Sequence, residues 1–120
     1  MKAKTGELVW FDIPVKDFKK AKAFYGKLFG WKFVAMGDEY WMIKAGKELI
    51  GGLRNVHIPV KISDTPIMYF SVPKLAPAVK VAKKLGARLI GERVDIPDGM
   101  GCFHLMRDQD KNLIGIWSNS

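Results

Sequence analysis

Trp10 and Asp12 lie in GELVWFDIPVKD, residues 6–17. Alternation there puts Val9, Phe11 and Ile13 on one face of a strand and Leu8, Trp10 and Asp12 on the other. A tryptophan and a carboxylate are poor material for an ordinary hidden core, so the second face must look at water, a partner, a metal or a ligand. Tyr69, in IMYFSVP, and Trp117, in LIGIWS, fall on strands of the same kind. Two indoles, a phenol and a carboxylate suit an aromatic clamp around a flat or cationic molecule. The same rings could equally fill a core or cover a subunit contact. His104 and Cys102 share a strand face at i and i+2, roughly 6–7 Å apart, too far for a resting Cys–His ion pair. His104 is either a buried, hydrogen-bonded histidine or an acid/base or ligand contact. The candidate ligand-binding set is Trp10, Asp12, Tyr69, His104 and Trp117, with no metal ligand among the residues.

Those residues need elements to hold them, and the chain repeats itself in supplying them. Residues 35–51, AMGDEYWMIKAGKELIG, align without a gap on residues 99–115, GMGCFHLMRDQDKNLIG. Met36/Met100, Gly37/Gly101, Met42/Met106, Lys47/Lys111, Leu49/Leu113, Ile50/Ile114 and Gly51/Gly115 are identical. Upstream, FDIP at 11–14 echoes FSVP at 70–73. Internal repeats of this kind settle the architecture first. The first half predicts a strand near 7–13, a helix near 16–29 and strands near 31–36, 39–45 and 48–54. Phe18, Ala21, Tyr25 and Leu28 share a helix face, and Gly30 suits the helix stop. The second half predicts a strand near 66–72, a helix near 75–85 with Pro77 in its first turn, and strands near 88–95, 101–107 and 112–118. Each half reads β-α-β-β-β. Neither buries its sheet alone, so residues 1–120 are expected to form one α+β domain: module one about 5–54, a linker about 55–65 and module two about 66–118.

Length and composition bound the function. A chain of 120 residues with 48% hydrophobic content suits one globular domain. No apolar run approaches the roughly 20 residues that span a bilayer, and MKAKTGELVW has no apolar segment of a signal peptide. The single cysteine, Cys102, fits a reducing cytosol. Cytoplasmic location and no membrane partner are therefore expected. Net charge is +8, but the lysines gather on two helix faces, with no Arg-rich groove, RNA-binding aromatic motif or zinc-finger spacing. Solvated helix faces explain them, and no nucleic-acid partner is expected. DQDKN, 108–112, lacks the glycine and glutamate of a calcium loop and reads as a hairpin turn.

The tandem plan, the segment FDIPVKDFKKAKAFYGKLFGWKF and the ending RDQDKNLIGIW resemble the vicinal oxygen chelate superfamily, the group of glyoxalases, extradiol dioxygenases and bleomycin-binding proteins, and in particular its short glyoxalase-like members. The resemblance implies two modules whose curved mixed sheets form a cup, with helices outside. It also implies, in the enzymes, a divalent metal held by His or Glu on the first and last strands of each module. Those positions fall here on Trp10, on Ile67 or Tyr69, and on Gly51 and Gly115. None is a metal ligand, so no cofactor is expected, and the two glycines are expected to leave space on the cup floor. The resemblance thus points to a small-molecule binder with an aromatic-lined cup, assembled as a homodimer. The alternative is a metal-dependent glyoxalase-like lyase or isomerase using Asp12, His104 and Tyr69, with a divalent metal as cofactor.

Overall fold

The computed structural model describes residues 3–55 and 65–120. His57 and the body of the expected linker lie outside the described residues. The chain divides into two compact units, Trp10–Pro66 and Met1–Val9 with Ile67–Ser120. The element order is β-α-β-β-β twice over, which makes the fold α+β. Among the described residues no helix is long and apolar enough to cross a membrane.

Module one comprises β1 (Leu8–Val15), α1 (Phe18–Phe29), β2 (Lys32–Ala35), β3 (Tyr40–Ala45) and β4 (Glu48–Asn55). Its strands run in the order β2-β3-β4-β1, with β1 parallel to β4 and the other pairs antiparallel. Helix α1 starts where Asp17 accepts the Lys20 backbone N–H at 3.0 Å, and it stops at Gly30, whose φ of 73° closes the last turn. Val15, Ile43 and Leu53 form the buried centre, with Phe11, Ile13, Phe18, Ala21, Tyr25 and Phe33 around them. Ile43 and Leu53 have no exposed surface, and each contributes about 1.5–3 kcal/mol by burial. The buried stripe of α1 is narrower than its periodicity implies: Leu28 is 59% exposed, because the residues that meet the sheet centre on Phe18, Ala21 and Tyr25. Trp31 stacks on Tyr25 at 5.4 Å and leans on Phe29 at 4.8 Å, closing the end of the helix. On the helix-covered face of β3 the Lys22 ammonium sits 3.2 Å over the Trp41 ring.

Module two comprises β5 (Ile67–Ser71), α2 (Leu75–Lys84), β6 (Arg88–Asp95), β7 (Cys102–Arg107) and β8 (Leu113–Ser118), with strand order β5-β8-β7-β6. Leu75, Cys102, Met106 and Ile116 are its buried centre under α2, flanked by Val79, Ala82 and Leu89. The DQDKN segment is the turn between β7 and β8. Its Asp108 carboxylate accepts the backbone N–H groups of Asp110 and Asn112 at 2.9 Å each and the Asn112 amide at 3.0 Å. The Asn112 side chain and then its backbone hold the Asp108 carboxyl below its ordinary pKa. A carboxyl depressed on folding stabilises above its unfolded pKa, and that contribution disappears as pH falls through the folded value. Asp108→Ala is therefore expected to lower the melting temperature at neutral pH. The difference from wild type should close in acid, below about pH 4, in a melt series across pH.

Candidate functional site

Strand pairing fixes the faces. In module one the row Phe11–Gly51–Ile43 points to the helix, and the row Asp12–Gly52–Met42 points the other way. Trp10, two residues before Asp12, shares the helix-free face, and so does Tyr40, two before Met42. Three side chains meet there. The Tyr40 hydroxyl accepts the Trp10 Nε1–H at 2.7 Å and donates to Asp12 Oδ1. Asp12 is 4% exposed, while Trp10 and Tyr40 are half-buried. The phenol ring lies on Gly52: a Cβ at that position would coincide with the Tyr40 hydroxyl and ring. Glycine is thus required at 52 by the approach of a ring. Arg54, which pairs with Tyr40 across the strands, is also buried, and its Nη2 donates to the Thr65 carbonyl at 3.2 Å.

The arrangement amounts to a short chain of hydrogen bonds ending on a buried carboxylate. Indole nitrogen only donates, phenol oxygen both accepts and donates, and carboxylate oxygen accepts, so the polarity runs one way without conflict. The indole plane is thereby held by its nitrogen while part of its surface stays open.

In module two the corresponding row is Ser71–Trp117–Phe103, with Tyr69–Gly115–Leu105 beside it on the same helix-free face. Tyr69 is 4% exposed and packs edge-on against Phe103 at 5.2 Å, and its ring lies on Gly115 as the Tyr40 ring lies on Gly52. The Trp117 Nε1 donates to the Met100 carbonyl at 2.9 Å, and its ring packs on Gly101.

The structure therefore brings Trp10 and Asp12 together through Tyr40 and sets Tyr69 and Trp117 on one face of module two. His104 is not with them. It lies in the row of Ile116, on the face that α2 covers; it is 8% exposed, and its Nε2 contacts the Gly91 carbonyl at 3.1 Å. The two glycines expected to leave open space also differ from that expectation. Gly51 faces the helix side, against the Phe11 carbonyl and ring, while Gly115 is covered by Tyr69. The cause is register. Asp12 pairs with Gly52 but its echo Ser71 pairs with Trp117, the FDIP/FSVP echo being offset by 59 residues and the hairpin repeat by 64, an odd difference of five. A displacement by an odd number of residues moves every side chain to the other face. Tyr40, Gly52 and Phe103 were absent from the expected set. The signal for Tyr40 was a glycine diagonal to a large aromatic, Gly52 standing opposite Met42 and Tyr40 opposite Arg54, and it becomes legible only once the strand register is known.

Comparison with known proteins bears on this geometry. Residues 7–46 match the family model for the bleomycin resistance protein-like N-terminal region. A putative glyoxylase of Mycobacterium tuberculosis, CFP32, is 27% identical over 116 residues, covering 93% of this chain and 44% of the relative, and its Mycobacterium bovis counterpart matches equally. The chain thus spans less than half the length of these curated relatives. Among solved structures, a glyoxalase/bleomycin resistance protein/dioxygenase superfamily member from Vibrio splendidus superposes with a TM-score of 0.69 at 13% identity, over 95% of this chain and 98% of that one. The chain has the fold of the glyoxalase/bleomycin resistance protein/dioxygenase superfamily. The Mn(II)-bound glyoxalase of Novosphingobium aromaticivorans shares that fold with a TM-score of 0.68 at 18% identity, over 96% of this chain and 39% of that one.

The superfamily's metal can be tested against the donors present. In module one the helix-free face offers one carboxylate, Asp12, which already accepts Tyr40, beside an indole that can only donate and a glycine without a side chain. In module two that face presents Ile67, Tyr69, Ser71, Leu113, Gly115 and Trp117, none of them an imidazole, carboxylate or thiolate. Among the described residues no group of three or more His, Cys, Asp or Glu could hold a metal ion. This donor set does not fit a divalent-metal centre.

Proposed function

We propose that the chain binds a small, flat hydrophobic or aromatic molecule against the helix-free face of module one, with no metal ion taking part. The observation that carries this reading is the hydrogen-bond chain from the Trp10 indole through Tyr40 to buried Asp12. An aromatic plane held in place before the ligand arrives loses little freedom on binding, which is how preorganised sites gain affinity. Met42 adds an adaptable apolar contact on the same face. The fold is compatible with binding or catalysis and does not choose between them. The alternative, a metal-dependent lyase using Asp12, His104 and Tyr69, loses support because His104 and Tyr69 lie on opposite faces of the module-two sheet.

The test is a melting-temperature screen of small aromatic compounds on EDTA-stripped protein, with the best compound then titrated by calorimetry. Trp10→Ala should weaken that compound about tenfold, the loss of roughly 1.4 kcal/mol of stacking and burial. Adding Zn²⁺ or Mn²⁺ should leave the melting temperature unchanged. A rise of several degrees with either ion, or binding that needs the ion, would overturn the metal-free reading and restore the lyase alternative.

A further inference from the structure

Module two carries a second concavity, on the side of its sheet opposite Tyr69 and Trp117. Val72, Pro73, Pro77, Val81, Leu85 and Ile116 line a groove of about 520 Å³ whose walls are almost wholly apolar. That volume falls within the roughly 300–1,000 Å³ of small-molecule sites. One wall is a stripe of α2: Lys74, Pro77, Val81 and Leu85 recur at the three-to-four-residue spacing of one helix face. Val81 is 54% exposed and Leu85 78%. Isolated exposed apolar residues are ordinary, but these line a continuous apolar trough.

Charge says what the trough would take. Among the described residues, the one charged residue lining it is Lys74, at the helix N-terminal end. Residues 74–85 include Lys74, Lys80, Lys83 and Lys84 and no acidic residue. Lys74 is also the N-cap of α2; the first helical N–H, that of Leu75, donates to the Ser120 carbonyl at 3.0 Å, so the positive charge at that end of the trough is the Lys74 ammonium. A second copy of this helix would bring lysines against lysines. An apolar trough with one cationic end instead matches a molecule with an apolar tail and one anionic head. From Lys74 to Leu85 the helix rises about 16 Å, the reach of an extended chain of about ten to twelve carbons.

We propose that this groove binds a single free alkyl carboxylate, with its head at Lys74 and its chain along Val81 and Leu85. The site is separate from the aromatic face of module one and does not depend on that reading. The probe is dodecanoate, kept below its micelle concentration and titrated calorimetrically into the full chain, with dodecyltrimethylammonium as the partner of opposite head charge. Dodecanoate should bind at least about tenfold more tightly than the cation. Val81→Glu, at an exposed position where the fold tolerates a carboxylate, should abolish binding, and an unchanged melting temperature would confirm that the fold is intact. Lys74→Gln should weaken binding severalfold and flatten its salt dependence. Equal binding of the two amphiphiles, or wild-type affinity in Val81→Glu, would overturn the proposal. So would a dimer in sedimentation that Val81→Glu splits while dodecanoate fails to bind, since the groove would then belong to a second copy.

Discussion

Gly52→Ala will melt well below wild type, and the loss will come from a side chain elsewhere. Gly52 is buried in β4 and is not among the glycines with positive φ, so its backbone does not demand glycine. On backbone entropy alone alanine would stabilise by about 0.4–1 kcal/mol. Its methyl group, however, would occupy the place of the Tyr40 hydroxyl and ring. The ring must move, which costs about 1–3 kcal/mol as overpacking. When it moves, Asp12 loses its hydroxyl donor and Trp10 its acceptor, at about 1–3 kcal/mol more. The net expectation is a loss of about 2–4 kcal/mol in chemical denaturation. A double-mutant cycle identifies the cause. In a Tyr40→Ala background the methyl has nothing to displace, so Gly52→Ala should then cost close to nothing. If it costs as much there as in wild type, the ring is not the reason for the glycine.

The same contact recurs at Gly115 under Tyr69, and it shows where the sequence was legible and where it was not. Element order was legible because strand alternation, helical spacing and the Gly30 stop are local signals. The faces of β1 and β5 followed from alternation alone, which is why Trp10, Asp12 and Tyr69 stand on the faces expected for them. Hairpin register is not local. It depends on how the hairpin docks on the first strand, and the two echoes disagree there by five residues, FDIP/FSVP being offset by 59 and the gapless repeat of residues 35–51 on 99–115 by 64. Carried across by that repeat, Gly51 matches Gly115 and Tyr40 matches His104, yet each pair lies on opposite kinds of face. Tyr40, the hydrogen-bonding partner of Trp10 and Asp12, is therefore missing from the set expected from sequence, and that set groups His104 with rings that it does not join. Rows across strands correct this: Asp12–Gly52–Met42 is the counterpart of Ser71–Trp117–Phe103.

Tyr40→Phe removes one oxygen and leaves the packing alone, so it separates the two roles of the network. The phenylalanine ring still covers Gly52, and no void opens. What is lost is the 2.7 Å acceptor for Trp10 Nε1 and the donor to buried Asp12. A hydrogen bond to a charged group contributes about 1.5–3 kcal/mol, and the indole bond about 1 more, so stability at neutral pH should fall by about 2–4 kcal/mol. Ligand affinity should fall as well, by about tenfold, although the removed oxygen need not touch the ligand, because the indole then spends binding energy on being ordered. Each pattern of results has a distinct meaning. Loss of both stability and affinity places Tyr40 as the residue that positions Trp10. Loss of stability with affinity intact would make the chain from Trp10 to Asp12 a strut between β1 and β3, and the binding surface would have to be sought on the rings of module two. The decisive comparison is Trp10→Ala with Tyr40→Phe. If Tyr40 acts only by holding the indole, the double variant should bind no more weakly than Trp10→Ala alone, a non-additivity that two independent contacts would not produce.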